Sequence, residues 1–321
     1  MGRLIAIIAL LILVTISGSH AKTTKKCRAL ALEGGGDQGS YQVGVLKSFV
    51  EYLPAEEVQY DVITGVSVGS INAMALAMHK IGDEKSAVDW MIDMWTKLKP
   101  TDIYGSWNFG ILEGLFFEEG IWTNQNEVDF LTETFNNFEE KKVHRKININ
   151  TVDFDTGKIY KFTEAEDFSR LPSIVVASTS MPFAFPHMRL DGHAFVDGGS
   201  VWNVDISGAI QRCMEVVDDE KDIIVDVILC NTAQKVRRED TKNWSTMNNY
   251  FRYQQISKYY SFLSDYEEIE RGYPDVNFRY ILVPKDDLPS SLLTLDFEHE
   301  AMMQMIKIGE DQARELIQSQ A

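Results

Sequence analysis

Cysteine and histidine are both scarce in this chain of 321 residues. The three cysteines are Cys27, Cys213 and Cys230, and an odd number leaves at least one thiol outside any intramolecular disulfide. So few cysteines exclude a scaffold built from disulfides. Neither a Cys-x-x-Cys nor a His-Glu-x-x-His pattern indicates a metal site. The sequence therefore predicts no metal and no other cofactor, and it leaves the pairing of the three cysteines open.

Positive charge is also in short supply. The 31 lysines and arginines stand against 48 aspartates and glutamates, which gives a formal net charge of −17 at pH 7. A chain of this charge does not bind nucleic acid through a general electrostatic field, and strongly anionic membranes repel it. Zwitterionic and neutral lipid surfaces are not excluded in this way, although an acidic surplus is most often only a solvated surface.

The one long apolar run lies at the N-terminus. Arg3 precedes an apolar stretch from Leu4 to Ile16, and Ser19-His20-Ala21 has the small-x-small spelling of a signal-peptidase site. The run is short for a transmembrane helix, and an uncleaved anchor is the alternative. We therefore expect residues 1–21 to be a signal peptide cleaved near Ala21. The mature chain, residues 22–321, is then secreted or lies in the lumen of the secretory pathway.

The mature chain contains two units in which a strand, a glycine turn and a helix follow one another. The strand Cys27–Leu32 precedes a helix from Gly39 to about Leu53, and the strand Val58–Thr64 precedes a helix from about Ser67 to Lys80. Such units predict an α/β fold with a largely parallel sheet covered by helices. No repeat or composition break indicates a second domain. Further helices are predicted over residues 84–98, 123–140, 171–179, 204–217 and 298–318, and further strands over 147–154, 158–162, 195–197, 222–230 and 277–283.

A Gly-x-Ser-x-Gly sequence occupies the second of these turns. Gly65 and Gly69 flank Ser67 in the order that places a nucleophilic serine on a sharp turn between a strand and a helix. The spelling alone is weak, because a glycine-rich turn can carry a serine by chance, but the strand before it and the helix after it suit the mechanism. Ser67 is therefore a candidate nucleophile.

Three successive glycines occupy the first turn. Gly34, Gly35 and Gly36 leave backbone N–H groups unobstructed near the start of the next helix, an arrangement that suits an oxyanion hole. A nucleotide-phosphate loop is the rival interpretation, but the segment lacks the Gly-Lys-Ser/Thr and Gly-x-Gly-x-x-Gly signatures. A simple tight turn is the third.

The base for Ser67 is harder to find, because only six histidines are present. His187, His193 and His299 remain as candidates, and none lies in a recognisable motif. Asp197 is the rival, since Val196-Asp197-Gly198-Gly199 delivers a carboxylate at the end of an apolar strand. A buried carboxylate in contact with the serine hydroxyl can accept its proton.

Together these residues resemble the patatin-like phospholipases. Residues 33–39 are similar to the family's oxyanion segment, Gly65 to Gly69 to its nucleophile elbow, and Asp197 to the aspartate of its Asp-Gly-Gly/Ala motif. Residues 177–186 look like the segment that precedes this aspartate, and Asn203 looks like an asparagine that follows it.

The resemblance implies a three-layer α/β/α fold with a central, mostly parallel sheet. It also implies a Ser–Asp dyad of Ser67 and Asp197, with no histidine and no metal, that hydrolyses acyl esters of lipids through an acyl-enzyme. Two positions depart from the family pattern: Gln38 replaces a usual Arg or Lys, which weakens the case for phospholipid over neutral lipid, and Asp205 replaces a common Pro, which we expect to alter only how the next helix begins.

Two further functions stay open at this point. One is a conventional Ser–His–Asp esterase that uses His299, and the other is a secreted binding or storage protein of the same fold. Residues 104–122 are aromatic and irregular, which suits either a lipid-facing cap or a segment packed on the core. Residues 244–266 predict a helix that either lies at an interface or packs on the sheet. The oligomeric state stays open as well.

Overall fold

A computed structural model describes residues 25–230, 240–291 and 294–320, so the predicted signal peptide lies outside the described residues. The strands of the described chain are β1 (Cys27–Leu32), β2 (Val62–Val66), β3 (Lys146–Asp153), β4 (Lys158–Phe162), β5 (Met188–Leu190), β6 (His193–Asp197), β7 (Ile223–Ile228) and β8 (Asn277–Leu282). Its α-helices are α1 (Gly39–Tyr52), α2 (Val68–Ala77), α3 (Glu84–Lys97), α4 (Pro100–Ile103), α5 (Ile111–Phe116), α6 (Gln125–Asn136), α7 (Leu171–Thr179), α8 (Ile206–Cys213), α9 (Thr246–Gly272) and α10 (His299–Gln320).

The strands form one mostly parallel sheet, as predicted. Its order is β5-β6-β3-β2-β1-β7-β8, and β4 pairs with β3 outside this path. The pairs β1–β2, β1–β7, β2–β3 and β7–β8 are parallel. The antiparallel pairs β3–β4, β3–β6 and β5–β6 are confined to one side of the sheet.

Helices cover both faces of the sheet, because alternate side chains of each strand point to opposite faces. In β1, Leu30 and Leu32 join a core cluster with α1, α2, α3, α6, α7 and α10, whereas Ala29 and Ala31 join a second cluster with α8 and α9. The predicted three-layer α/β/α architecture is therefore confirmed. The small alanines of β1 suit the close approach of α8 to the sheet.

Several predicted boundaries were wrong. The second strand begins at Val62 instead of Val58, because Ala55–Glu57 forms a 3-10 turn, and it continues to Val66. The helix predicted over 204–217 extends only from Ile206 to Cys213. At its N-terminal end, the side chain of Asp205 caps the first turn by accepting a hydrogen bond from the N–H of Gly208. Asp205 thus sets how this helix begins, as expected, but its effect is not limited to the helix start. Its buried carboxylate also accepts hydrogen bonds from Nζ of Lys161 at 2.9 Å and from Nδ2 of Asn148 at 3.1 Å.

A short hairpin was missed altogether. Strand β5 pairs with β6 through a turn at Asp191-Gly192, whose φ angles are 53° and 86°. An Asp-Gly pair is a signal for this kind of two-residue hairpin turn, so the sequence did contain the information.

The cysteine pairing is resolved in the structure. A disulfide joins Cys27 of β1 to Cys213 of α8, with the two Cα atoms 5.6 Å apart. Cys230 is a free, buried thiol. The bond therefore fastens the first strand of the sheet to the helical layer on one face.

The aromatic segment predicted over 244–266 is helical and forms α9. Phe262, Tyr266 and Ile269 contact the second core cluster, whereas Tyr253 and Tyr260 are exposed. Among the described helices, none combines the length and the apolar character that crossing a bilayer requires.

An ionic cluster is buried between β7 and β8. Asp226 is fully buried, and its carboxylate accepts hydrogen bonds from the hydroxyl of Tyr60 (2.7 Å) and from Nε (3.0 Å) and Nη2 (2.5 Å) of Arg279. The same guanidinium also donates to Glu57. A buried charge with this many partners is compensated only while the cluster stays complete.

Candidate active site

Ser67 lies on a sharp turn between the end of β2 and the start of α2. Its backbone has φ 52° and ψ −127°, a conformation that non-glycine residues rarely adopt and that is typical of functional turns. The flanking glycines permit the turn, because a Cβ on Gly65 would lie 2.3 Å from the carbonyl oxygen of Gly69. A Cβ on Gly69 would lie 2.4 Å from the carbonyl oxygen of Leu32. The predicted strand–elbow–helix geometry is present.

The strand registers bring Ser67 and Asp197 to one place. Strand β4 pairs with residues 149–153 of β3 along one edge of that strand. Strand β2 pairs with residues 146–150, and β6 pairs with residues 151–153. Because β4 occupies the first edge, β2 and β6 both lie along the opposite edge of β3. β2 ends at Val66 opposite Asn150, and β6 ends at Asp197 opposite Thr151. The C-terminal ends of β2 and β6 therefore meet head to head opposite two consecutive residues of β3. Consecutive residues of a strand are about 3.3 Å apart along its axis.

The turn that follows Asp197 is packed against the elbow. A Cβ on Gly198 would lie 2.6 Å from the carbonyl oxygen of Asn150 and 3.2 Å from Cγ1 of Val66. Asp197 is 5% exposed, and its Oδ1 accepts a hydrogen bond from the N–H of Gly199 at 2.7 Å. Its own backbone N–H donates to the carbonyl of Ser180. Asp197 is therefore a buried acceptor held beside the turn that carries Ser67.

The glycine loop lies on the other side of Ser67. A Cβ on Gly34 would lie 2.9 Å from Cβ of Ser67, so only glycine permits this approach. The N–H of Gly34 donates to the carbonyl of Asn203 at 3.1 Å and is not available to an oxyanion. Among the residues that the structure describes, no acceptor is found for the N–H of Gly35 or Gly36. These two N–H groups are the candidate oxyanion donors, whereas Gly34 permits the close approach to Ser67. The predicted oxyanion hole at this loop stays a prediction.

Asn203 links the loop to the aspartate turn. Its Nδ2 donates to the carbonyl of Gly34 and to Oε1 of Glu33, both at 3.0 Å. A Cβ on Gly199 would lie 2.5 Å from Oδ1 of Asn203, so this side chain also packs against the turn after Asp197. A single side chain thus fixes the glycine loop relative to the turn after Asp197. The sequence singled out Asn203 only through the family resemblance.

Two residues that the sequence did not reveal as functional brace the elbow. The N–H of Ser67 donates to Oγ of Ser178 at 3.0 Å, and this hydroxyl donates to the carbonyl of Asn150 at 2.6 Å. Nδ2 of Asn150 in turn donates to the carbonyl of Gly65 at 3.1 Å. These bonds hold the strained backbone of Ser67 and attach it to β3.

Glu127 of α6 is a buried acid next to this region. The side chain is 1% exposed, and the hydroxyl of Thr179 lies 2.9 Å from both carboxyl oxygens. Burial raises the pKa of Glu127 to about 8; the hydrogen bond with Thr179 opposes the shift, and the charge of Asp197 adds to it. The Glu127 carboxyl is therefore neutral at pH 7. No local pattern in the sequence indicates its burial.

None of the five histidines of the described residues makes a hydrogen bond or an ion pair with Ser67, although Nε2 of His187 is buried without a partner. His299 contacts the carbonyl of Thr96 through Nδ1 and is exposed at the start of α10, and His193 lies at the opposite end of β6 from Asp197. The remaining polar contacts are His79 with the carbonyl of Ala75, His144 with Glu140, and His187 with Glu119. The structure thus does not bring His187, His193 or His299 into contact with Ser67.

One group of potential metal ligands is present in the described part of the chain. The side chains of Asp153, Asp155 and His193 converge, with one ligand atom of each within 4.8 Å of the others. His193 also contacts Asp153 directly at 3.2 Å. The group lies at the end of β6 that is remote from Asp197. It therefore has no bearing on the prediction that catalysis needs no metal.

Behind the glycine loop, a Cβ on Gly35 would lie 2.5 Å from Cβ of Cys230 and 3.2 Å from Oε1 of Gln38. Gln38, which replaces the basic residue common in the family, therefore lies against the loop without adding a positive charge.

The fold and this site define an α/β protein with a strand–elbow–helix serine and a neighbouring buried aspartate. The family model of the patatin-like phospholipases matches residues 30–210, more than half of the chain. The chain belongs to this family. Membership supports lipid acyl hydrolase activity in general terms.

Individual relatives are more distant. The chain is 28% identical over 207 residues to "Uncharacterized protein R571" of Acanthamoeba polyphaga mimivirus, which covers 63% of this chain and 65% of that one. It is 26% identical over 216 residues to the "cGAMP-activated phospholipase" of Escherichia coli strain TW11681, covering 59% and 56% of the two chains. The matches thus span less than two thirds of the length of these relatives. VipD from Legionella pneumophila superposes with a TM-score of 0.42 at 14% identity, over 92% of this chain and 67% of that one.

Proposed function

We propose that this protein is a serine hydrolase that cleaves fatty-acyl esters of lipids with Ser67 as nucleophile and Asp197 as base. The observation that carries the proposal is the head-to-head meeting of β2 and β6 on one edge of β3. This geometry supports a dyad, because the strand that precedes Ser67 and the strand that carries Asp197 end opposite consecutive residues of β3. A dyad needs this proximity, because a serine hydroxyl becomes a nucleophile only when a neighbouring base takes its proton.

In the first half of the reaction, Oγ of Ser67 attacks the ester carbonyl carbon while its proton passes to Asp197. The carbonyl oxygen becomes an oxyanion, which the N–H groups of Gly35 and Gly36 stabilise. The tetrahedral intermediate then expels the alcohol, which takes the proton from Asp197. The fatty acyl group remains as an ester on Ser67.

In the second half, a water molecule attacks this acyl-enzyme and gives its proton to the carboxylate of Asp197. A second oxyanion forms at the same N–H groups, the fatty acid leaves, and the proton returns to Ser67. All the chemistry is supplied by protein groups. The raised pKa of Glu127 favours its neutral form at pH 7, which adds no full negative charge beside Asp197.

We take the substrate to be a lipid with a zwitterionic or neutral headgroup. The family carries the phospholipase name, and one relative is itself named a phospholipase. The net charge of −17 argues against strongly anionic lipids. Because Gln38 adds no positive charge, phosphate binding is not expected to dominate recognition.

Product analysis by mass spectrometry on a panel of phospholipids, lysophospholipids and neutral lipids tests the activity and identifies the substrate. Ser67→Ala and Asp197→Asn are each expected to abolish fatty-acid release, and the double variant is expected to be no worse than either, since the two residues act as a unit. A fluorophosphonate probe is expected to label the wild type and not Ser67→Ala. Absence of both labelling and turnover in folded wild-type protein would favour the binding or storage alternative.

His299→Ala is the matched control for the conventional triad. We expect it to retain wild-type turnover, because His299 contacts Thr96 and not the elbow. A folded His299→Ala protein without activity, or an active Asp197→Asn protein, would favour the Ser–His–Asp alternative.

Secretion remains part of the proposal. The Cys27–Cys213 disulfide supports it, since structural disulfides persist mainly in oxidising compartments. N-terminal sequencing of protein recovered from the culture medium is expected to begin near Lys22. A chain that still carries its first residues and sediments with membranes would indicate the uncleaved anchor instead.

A further inference from the structure

A cluster of large apolar side chains is exposed around α5. Phe109 and Phe117 are each 84% exposed, and four apolar residues of α5 between them, which are Ile111, Leu112, Leu115 and Phe116, are also exposed. We define the α5 patch by its six most relevant members, which are Phe109, Leu112, Leu115, Phe116, Phe117 and Phe183. Single exposed apolar residues are ordinary, but a contiguous group of this size marks an interaction site.

The backbone around the patch is firmly attached to the protein. A Cβ on Gly114 would lie 2.4 Å from the carbonyl oxygen of Ile121, so α5 rests directly on the following segment through its one buried residue. Nε1 of Trp107 donates to the carbonyl of Gly120 at 2.9 Å. The large side chains of α5 are therefore held outward by the fold. Tyr104 and Trp122, at the two ends of the segment, pack against the core instead.

Backbone hydrogen bonds connect the α5 segment to the segment that contacts Asp197. The N–H groups of Ile121 and Trp122 donate to the carbonyls of Phe183 and Ala184, each at 3.0 Å. The side chain of Phe183 is half exposed, and its backbone has a φ angle of 79°. Phe183 lies three residues after Ser180, whose carbonyl accepts a hydrogen bond from the N–H of Asp197. A partner that docks on α5 is therefore close to the proposed dyad.

The charges around the patch select its partner. Residues 100–140 contain eight acidic residues besides the buried Glu127, and no lysine or arginine. Glu113, Glu118 and Glu119 border the patch, and Arg189 lies 3.9 Å from Glu119. A symmetric pair of copies joined through this face would place these carboxylates against one another. Anionic lipid would be repelled in the same way. The outermost groups of a zwitterionic bilayer are ammonium ions, which complement the acidic rim.

We propose that the α5 patch docks the protein on the surface of a zwitterionic phospholipid bilayer, with the aromatic rings of Phe109, Phe116 and Phe117 inserted below the headgroups. This inference rests on the proposed function, because it specifies the surface from which the site takes its substrate. Docking itself does not require the chemistry, so the two can fail separately.

The test measures binding of the secreted, purified Ser67→Ala protein to phosphatidylcholine vesicles by co-sedimentation. Adding Phe109→Ser, Phe116→Ser and Phe117→Ser to this background is expected to weaken binding at least tenfold. The matched control is Tyr253→Ser with Tyr260→Ser on α9, where two similarly exposed rings are replaced. Doping the vesicles with phosphatidylserine is expected to weaken binding, and added salt to restore part of it.

Equal binding by the patch variant and its parent, or loss of binding in the α9 control alone, would overturn the proposal. So would a patch-dependent dimer in sedimentation velocity, which would assign the face to a second copy. A soluble short-chain ester separates the two proposals, since the patch variant with Ser67 intact is expected to hydrolyse it at the wild-type rate. Failure of the wild type on that ester would count against the proposed function and not against docking.

Discussion

Replacing Glu127 with glutamine tests whether a buried acid is held neutral beside Asp197. The pKa of Glu127 is raised by burial from 4.5 to about 8, and the side chain is 1% exposed. As the pH rises from 4.5 to 8, the unfolded chain releases this proton while the folded chain keeps it. The free energy of unfolding therefore falls across this window, by about 1.4 kcal/mol for each pH unit.

The whole shift from 4.5 to about 8 corresponds to about 5 kcal/mol that is present at low pH and lost above pH 8. Glutamine has the same shape and no proton to release. Glu127→Gln is therefore expected to gain stability relative to the wild type as the pH rises, by about 3.5 kcal/mol between pH 5 and pH 8. A constant cost of the altered bond to Thr179 cancels in this comparison of two pH values.

Urea unfolding followed by tryptophan fluorescence, with the disulfide intact, measures this difference at each pH. Glu133→Gln is the matched control, because it removes an exposed carboxylate from the same helix. It is expected to keep the wild-type pH dependence. Stability curves of Glu127→Gln and the wild type that run parallel from pH 5 to pH 8 would refute a neutral Glu127.

Three further changes test other parts of the structure. Gly35→Val is expected to reduce kcat by two to three orders of magnitude, since an added Cβ meets Cys230 at 2.5 Å and displaces an oxyanion donor worth about 3–4 kcal/mol; normal kcat in the folded variant would leave the glycines a packing role only. Activity is expected to survive EDTA without added calcium; reversible loss in folded protein would implicate a metal. Arg279→Met is expected to lower stability by about 3–5 kcal/mol in urea unfolding, because it leaves Asp226 buried without its cation; an unchanged midpoint would show that the ion pair is not needed.

The sequence predicted the parts of the fold that depend on local patterns. Both strand–glycine–helix units, the separate strands β3 and β4, and the helix α9 follow from apolar periodicity and turn residues within short windows. The elbow of Ser67 was found for the same reason, because its glycines and its flanking elements are neighbours in the chain. Errors at the ends of the second strand and of α8 reflect local capping and 3-10 turns, which periodicity does not report.

What the sequence did not reveal depends on contacts between distant residues. Nothing local indicates that β6 continues along the edge of β3 where β2 stops, yet this pairing is what joins Asp197 to Ser67. The burial of Glu127, the brace formed by Ser178 and Asn150, and the Cys27–Cys213 bond arise in the same way. Asp197 was chosen over the histidines through a family resemblance and the two glycines after it. Its role as base stays a prediction.

The disulfide between Cys27 and Cys213 closes a covalent ring, because the two cysteines are 186 positions apart in the chain. Ser67, Asp197 and the whole of α5 lie inside this ring. A protease that cuts the exposed α5 would separate Ser67 and Asp197, the proposed nucleophile and base, into different peptide fragments, and the bond would still hold both fragments together. Such a nicked protein would keep its mass on a non-reducing gel and separate into two fragments only when reduced. Digestion under oxidising conditions therefore need not abolish its activity.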